Sequence, residues 1–409
     1  MREMSATQRR ARLARRHAVA PAHRVGDAVG ATRAVMALHA TEPATVHLSV
    51  HARVDEAAGD EQAGGERAGD EPAAGLDRAL HVDRSLVRQL AMRRTLFVFP
   101  RDLLGAAWGS AAARVAQSEE ARLAKDLAAS GEVADPAGWL AQTRTAVLEV
   151  LGDRPEGLTA IELRSSVPGL EVRLAGGATY AGSRVLTWLG ARGEVVRGHN
   201  TTHWRQSRPR WTLLEHWLDD RPPPMGPAEG YAALVRCWLE RFGPATEADL
   251  VWWLGATKGA VRAALGALGA VEVDLEGAGR GHLLPDDLEE EPPVEPWAAL
   301  LPVLDPSVMG WKQRDFYLPA HAGALFDRNG NAGTTAWWDG RVVGCWVQDP
   351  DGVVEVRLLD DVGREARAGL AVEAARVTRR LAGQRVGTVY PSPAMRADPG
   401  DLTYPVVRA

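Results

Sequence analysis

Residues 34–54, AVMALHATEPATVHLSVHARV, determine how we interpret the rest of the chain. Val35, Met36 and Leu38 form an apolar run without Gly or Pro, which predicts a helix that ends near His39. Thr41-Glu42-Pro43 predicts the start of the next helix, because threonine is a frequent cap residue and proline fits the first helical turn. The stretch therefore predicts two helices that meet at a junction containing His39 and Thr41.

This junction has two interpretations. A new helix N-terminus exposes unpaired N–H groups that favour phosphate or a polarised water, and side chains two residues apart at a junction can point into one space. His39 and Thr41 are then candidate functional residues. Alternatively, the stretch is an ordinary corner between helices with a hydrogen-bonded histidine.

The composition limits the class of protein. The chain has 409 residues, a net charge of −5 and a hydrophobic content of 45%, which is typical of a globular protein of roughly two to four domains. Cys237 and Cys345 lie far apart, which excludes a cysteine zinc site or a disulfide framework and fits a reducing compartment. Without a long apolar run or a signal peptide, we expect a soluble cytoplasmic protein and no membrane association.

The order of predicted elements indicates an α+β fold. Residues 84–93 predict a helix and residues 95–99 a strand, so that helices followed by a strand suggest a winged helix-turn-helix unit. The acidic residues 55–77 interrupt this unit as a predicted disordered insertion. We predict three tandem winged helix-turn-helix units followed by a small β-rich, barrel-like domain with a C-terminal helix. The predicted boundaries are 1–138 for the first unit with a long helix, 139–221 for the second, 225–288 for the third and 297–409 for the β-rich domain.

Local basic residues favour a nucleic-acid partner despite the negative net charge. The second unit carries Arg197, Arg205, Arg208 and Arg210 on and around a polar β-loop, an arrangement suited to contacting a DNA backbone. In the third unit Lys258 is a phosphate candidate. A generic β-hairpin is the alternative.

Two C-terminal motifs carry a resemblance to a known family. LLPVLD at residues 300–305 leads to MGWKQR at residues 309–314, and this resembles an LLPxxDxxxxGYxxR stretch. WWDGRVVG at residues 337–344, followed by Trp346, resembles a DGRVVGxW hairpin. With the order of predicted units, these motifs resemble the tandem winged-helix DNA glycosylases, AlkZ-like and YcaQ-like, which unhook interstrand crosslinks and excise bulky alkylated purines.

The resemblance implies a catalytic tripeptide and a DNA-facing hairpin. The family's Gln-x-Gln or Gln-x-Asp tripeptide corresponds to His39-Ala40-Thr41, so both glutamines are replaced. The hairpin that the family places against the lesion corresponds to residues 310–314, which implies DNA contacts for Trp311, Lys312 and Arg314. Asp305 matches a family aspartate, for which we expect a structural role.

The chemistry is compatible with the replaced residues. A purine alkylated at N7 or N3 is a good leaving group, so the enzyme needs a positioned water more than a general acid. A neutral His39 can take a proton from that water, Thr41 can hold the water, and Glu42 can orient the imidazole or stabilise positive charge. We expect no metal and no cofactor. A metal at His39, His47 and His51 is the weaker alternative: His47 and His51 are four residues apart on one helical face, but no acidic third ligand stands at a recognisable spacing and no cysteine is near.

The sequence therefore leaves two main hypotheses for a protein that binds double-stranded DNA. The first is a monofunctional DNA glycosylase, a hydrolase for alkylated or crosslinked purines that acts as a monomer in DNA repair near the nucleoid. The second is a non-catalytic DNA-binding protein, a regulator or lesion binder, that has lost the glutamine motif. A protein-interaction scaffold is a third hypothesis.

Overall fold

A computed structural model describes residues 2–55, 75–175, 179–318 and 320–408. It contains helices and four small sheets, so the predicted α+β class is confirmed. Most of the predicted insertion, residues 56–74, lies outside the described residues. No helix in the described ranges combines the length and apolar character that a membrane crossing requires.

In the N-terminal region, a short strand ends at His39, the first residue of the tripeptide at residues 39–41. The elements of this region are β1 (Arg2–Met4), α1 (Ala6–Arg16), α2 (Ala28–Ala34), β2 (Leu38–His39), α3 (Pro43–Arg53), α4 (Leu76–His81), β3 (Leu86–Ala91) and β4 (Thr95–Pro100). Strands β2, β4 and β3 form one antiparallel sheet with β4 in the middle.

Two sequence predictions in this region are wrong. Helix α2 ends at Ala34, and His39 lies in strand β2, where it pairs with Phe97. Residues 84–93 are not a helix, because Leu86–Ala91 pairs along its length with β4. Short apolar segments do not distinguish helix from strand, and here the cross-strand pairing determines the outcome.

The predicted long helix of the first unit is broken. It consists of α5 (Leu104–Gly109) and α6 (Ala111–Ser130), separated at Ser110. A side chain at Gly109 would collide with the backbone of Met225, so a glycine at this position permits the next region to pack closely against the break.

The second region agrees well with the sequence prediction. Its elements are α7 (Pro136–Gly152), β5 (Leu158–Thr159), α8 (Ala160–Ser166), α9 (Ala181–Ala191), β6 (Val195–Asn200), β7 (Pro209–Leu213) and α10 (Leu214–Trp217). Thr159 caps α8 through a capping box with Glu162. Strands β5, β7 and β6 form an antiparallel sheet with β7 in the middle.

The third region also follows the prediction. It contains α11 (Pro227–Phe242), α12 (Glu247–Leu254), α13 (Lys258–Ala267), β8 (Val271–Leu275) and β9 (Gly279–Leu283). The N-terminal strand β1 joins this sheet as a parallel neighbour of β8, which anchors the start of the chain to its middle.

The C-terminal region is built on a five-stranded sheet. Its elements are β10 (Ala298–Leu301), α14 (Pro306–Met309), α15 (Ala322–Leu325), β11 (Thr335–Trp338), β12 (Arg341–Gln348), β13 (Val354–Leu358), α16 (Arg364–Leu381), α17 (Pro393–Arg396) and β14 (Val407–Arg408). The strands follow one another in chain order. Phe316 and Tyr317 lie in a buried turn.

Arginines of helix α1 form ion pairs with the linker that precedes the C-terminal region. Arg12 and Arg16 each contact Asp287 at 2.7 Å, and Arg16 also pairs with Glu291. Their charges hold the linker in place.

A buried ion pair connects α3 to the C-terminal region. The Arg53 guanidinium donates to both carboxylate oxygens of Asp305 at 2.9 and 2.7 Å, and both side chains are 0% exposed. Ser49 and Ser307 complete the network. Burial is the largest single effect and raises the pKa of Asp305, but the Arg53 charge and the hydrogen bonds from Arg53, Ser49 and the Ser307 N–H together outweigh it, so the pKa is lowered. The expected structural role of Asp305 is confirmed.

Candidate nucleic-acid interface

The tripeptide lies on strand β2 and the bend that follows it. His39 pairs with Phe97 of β4, and the Ala40 N–H donates to the Leu96 carbonyl at 2.9 Å. Neighbouring residues of a strand point to opposite faces. The side chains of His39 and Ala40 therefore face different parts of the molecule.

His39 faces a closed environment. Its side chain is 6% exposed, its ring lies 4.8 Å from that of Phe97, and no described group hydrogen-bonds its Nδ1. Burial lowers the pKa of His39 to about 3, and the Arg93 charge acts in the same direction. His39 is therefore neutral at physiological pH and a weak base.

The other two predicted catalytic residues point elsewhere. Thr41 is exposed and is not the helix cap, because the cap position of α3 is Glu42. Glu42 accepts hydrogen bonds from the Thr388 hydroxyl and the Val389 N–H, and burial raises its pKa. His39 is therefore enclosed whereas Thr41 is exposed, and no hydrogen bond joins any two of His39, Thr41 and Glu42.

A cleft of about 490 Å³ opens on the Ala40 face. We call it the α3–β6 cleft, because α3 and α4 form one wall and β6 with the following loop forms the other. The polar and aromatic residues that line it include His47, Asp77, His81, Arg88, Arg197, His199, Asn200 and Trp204. Ala40, the middle residue of the tripeptide, also lines it.

Two arginines of the cleft form no ion pair among the described residues. The side chains of Arg88 of β3 and Arg197 of β6 have no hydrogen bond and no carboxylate within 4.0 Å, although the Asp77 charge acts on Arg88 from farther away. Burial lowers the pKa of Arg88 to about 10 and also lowers that of Arg197. Arg197 does contact the Trp211 ring, with its guanidinium carbon 5.1 Å from the ring centroid.

The histidines of the cleft are neutral. Burial lowers the pKa of both His47 and His81 to about 3, and the Arg88 charge contributes in the same direction. His47 Nε2 lies 3.9 Å from Asp77 Oδ1, which is too long for a hydrogen bond. The His47 ring packs against Trp204 at 5.2 Å, and the His81 ring stacks on His199 at 5.1 Å. Two pairs of aromatic rings thus flank the arginines.

The predicted basic β-loop is mostly occupied with protein contacts. Arg205 donates to the Arg385 carbonyl at 2.6 Å, and Arg210 donates to the Gly157 carbonyl at 2.6 and 3.0 Å. These two arginines fix the loop instead of standing free. Arg208 is exposed, and Arg197 lines the cleft.

The resemblance implied that hairpin residues 311, 312 and 314 contact DNA, but these residues differ in exposure. Trp311 is 2% exposed and packs against Phe242 and Phe316, so the expectation that it faces DNA is wrong. Lys312 is exposed, and its backbone N–H donates to Asp249 Oδ1 at 2.8 Å. Lys258 is exposed at the start of α13.

Arg314 belongs to a partly exposed cluster next to the closed face of His39. Its guanidinium lies over the rings of Trp252 and Phe326, at 5.2 and 4.6 Å from their centroids. Arg93 lies over the other side of this cluster, 4.1 Å from the Trp252 ring centroid. The cluster brings cations and aromatic faces together near the tripeptide.

Arg88, Asp77 and His81 were missed by the sequence analysis. Arg88 fell in a segment predicted to be a helix, and Asp77 fell at the edge of the predicted insertion. The sequence LVRQLA at residues 86–91 has no period-two alternation of apolar and polar residues, so it carried no local signal for this strand. Across the described ranges, no group of three or more His, Cys, Asp or Glu side chains is arranged to hold a metal ion.

Comparisons with known proteins agree with one another. Residues 32–380, most of the chain, match the sequence model of a family described as DNA glycosylase AlkZ-like. The fold is similar to that of the Streptomyces sahachiroi DNA glycosylase AlkZ, with a TM-score of 0.68 and 22% sequence identity over 94% of this chain and 99% of that one. At that identity the likeness is evidence of the fold. No protein of curated function matches the chain.

Proposed function

The chain belongs to the AlkZ-like DNA glycosylase family, and from this premise we propose that it is a monofunctional glycosylase that hydrolyses the N-glycosidic bond of alkylated or crosslinked purines in double-stranded DNA. The family match over residues 32–380 carries the proposal. The arginine-lined cleft beside the tripeptide supports it, because a DNA-binding enzyme with a negative net charge needs local positive surfaces.

The proposed architecture is three tandem winged helix-turn-helix units and a β-rich domain. Three separate three-stranded sheets, each beside short helices, support the units at 1–138, 139–221 and 225–288. The five-stranded sheet supports the domain at 297–409. We propose that the protein acts as a monomer, with the DNA lying across the units.

The proposed DNA contacts outside the cleft are exposed basic residues. Arg208, Lys258 and Lys312 are exposed and available to phosphates. Arg314 with Trp252 offers a cation and an aromatic face, a combination that binds nucleotides through charge and stacking. Arg205 and Arg210 support this surface indirectly, by fixing the loop that carries Arg208.

The proposed chemistry depends mainly on the substrate. An alkylated purine already carries positive charge, so the departure of the base leaves an oxocarbenium-like sugar that water must attack. Thr41, the exposed member of the tripeptide, is proposed to position that water. Glu42 has one carboxylate oxygen bound to Thr388 and Val389, and its charge is proposed to stabilise the sugar cation. Neutral His39 is proposed to accept a hydrogen bond.

Strand cleavage at abasic sites tests the proposal. The protein is incubated with a duplex that contains one N7-methylguanine, and hot alkali then cuts the strand wherever the base is gone. Thr41→Ala is expected to lower the single-turnover rate constant by about 10- to 100-fold, as for other groups that manage a reacting water. Thr7→Ala, on the exposed side of α1, is the matched control and is expected to act like the wild type.

The same experiment separates the two main hypotheses. Cleavage by the wild type and by His39→Gln, which restores a family residue, supports the glycosylase. A folded wild-type protein that binds the duplex yet gives no cleavage above background would leave the non-catalytic DNA-binding protein, which family membership does not favour.

A further inference from the structure

Among the described residues, the two guanidinium groups of the α3–β6 cleft have no ion-pair partner within 4.0 Å. Arg88 and Arg197 approach each other from β3 and β6. Burial has the largest effect on the pKa of Arg88 and lowers it, the Asp77 charge raises that pKa, and the Arg197 charge lowers it. Buried or half-buried charges are costly unless they are paired. Such a pair of guanidinium groups is best explained by an anion that binds between them.

The remaining cleft residues agree with an anionic ligand. Neutral imidazoles such as His47 and His81 retain a ring N–H that can donate to an oxygen, and they add no charge that would need further compensation. Asp77 is the one carboxylate of the lining, and its side chain is 45% exposed at the mouth. Arg78, also at the mouth, already pairs with Asp83 at 3.0 Å.

We propose that the α3–β6 cleft binds one phosphodiester group of the DNA strand under attack, held by the guanidinium groups of Arg88 and Arg197. This inference rests on the proposed function, because DNA is then the source of the phosphate. Arginine binds phosphate oxygens through two parallel N–H groups. Since Ala40 also lines the cleft, the bound phosphate lies beside the tripeptide and fixes the position of the adjoining nucleotide.

The volume of the cleft is consistent with a stretch of backbone. About 490 Å³ is more than a single phosphate needs, which leaves space for the sugars on either side. The ring pairs His47–Trp204 and His81–His199 provide flat apolar walls for those sugars. The aromatic walls alone would suit a base equally well. The two arginines favour a phosphodiester, because their charges attract an anion.

The test is methylphosphonate interference. A single uncharged methylphosphonate replaces each phosphate in turn around an N7-methylguanine, and the equilibrium affinity of the full-length protein is measured by fluorescence anisotropy. For the wild type, one position next to the lesion is expected to reduce affinity about tenfold, the usual scale for a charge-assisted hydrogen bond. Arg88→Gln is expected to bind DNA with an unmodified backbone about tenfold more weakly than the wild type does. Its affinity should not change further when that one phosphate is replaced by a methylphosphonate.

Two variants control for charge and folding. Arg88→Lys keeps the charge, so it is expected to retain the methylphosphonate effect at reduced size. Arg364→Gln removes an exposed arginine at the start of α16 and is expected to behave like the wild type. The cleft residue Trp204 contacts Gln384, which follows the other end of this helix. The slope of log affinity against log salt is expected to fall by about 1 in Arg88→Gln only.

The outcomes separate this inference from the proposed function. If Arg88→Gln keeps the wild-type methylphosphonate pattern while the wild type still releases base, the inference is overturned and the glycosylase stands. If no methylphosphonate matters but an abasic analogue at the lesion weakens binding, the cleft holds a base and the inference is also overturned. A wild type that shows the pattern but releases no base supports the phosphate site and overturns the enzyme.

Discussion

Helix α3 has arginines on two sides, one fully buried and two half-buried, and their surroundings differ. On one side Arg53, within the helix, is fully buried and bonded to Asp305 through both oxygens. On the other side His47 faces Arg88 and Arg197, which have no such partner among the described residues. A paired buried charge holds the chain together, whereas an unpaired one indicates a place where something else must bind.

The two sides also differ in what they do to the tripeptide. The Arg53–Asp305 network ties α3 to the C-terminal region, so it fixes the helix that follows Thr41 and Glu42. The α3–β6 cleft reaches Ala40 itself. On the function proposed above, one side positions the candidate site and the other presents it to DNA.

The largest expected effect comes from breaking the paired side. Asp305→Asn leaves the Arg53 charge buried without a counter-ion, which should cost about 3–5 kcal/mol of folding free energy. Urea unfolding followed by tryptophan fluorescence measures this. A loss below about 1 kcal/mol would show that the pair does not hold the two regions together.

The next largest effect is the pH dependence of folding stability on the Arg53–Asp305 side. His17 is 0% exposed, its Nδ1 lies 2.9 Å from Ser307 Oγ, and burial lowers its pKa to about 3. Because the folded pKa lies below the unfolded value of about 6.5, its contribution is complete above pH 6.5 and is lost as the pH falls toward 3. At pH 5 the loss should be about 2 kcal/mol.

His17→Asn isolates this contribution. The variant should lose less free energy of unfolding than the wild type between pH 7.5 and pH 5, by about 1–2 kcal/mol. Identical pH dependence in both proteins would mean that His17 titrates normally in the folded state.

The smallest effect on stability is expected on the unpaired side. Arg88→Gln removes a charge with no partner to lose, so the unfolding free energy should change by less than about 1 kcal/mol and could rise. The same urea titration measures it. A loss as large as that of Asp305→Asn would reveal a strong intramolecular partner for Arg88 and contradict the comparison.

The parts of the fold that the sequence predicted best are those with local signals. Thr159 with Glu162 and Thr246 with Asp249 form capping boxes that mark the starts of α8 and α12. Residues 84–93 failed because their strand depends on pairing with β4, a contact that no local pattern encodes.

The candidate site could be predicted only in part for the same reason. The resemblance to the family identified residues 39–41 as the tripeptide. The orientations of the His39 and Glu42 side chains depend on β4 and on residues 388–389, which are distant in sequence. The cleft combines α3, β3 and β6, and its key residue Arg88 lies on the segment with the wrong predicted structure. The motif implied that Trp311 contacts DNA, but Phe242 and Phe316 pack against Trp311 and bury it.

The most direct test of the account is base release under single-turnover conditions. A duplex with one N7-methylguanine is mixed with an excess of the full-length protein, and free 7-methylguanine is quantified by chromatography over time. We predict first-order release of the free base at a rate well above that of the DNA alone. Stable, salt-sensitive binding of the same duplex without release of the base would contradict the central claim that this chain is a DNA glycosylase.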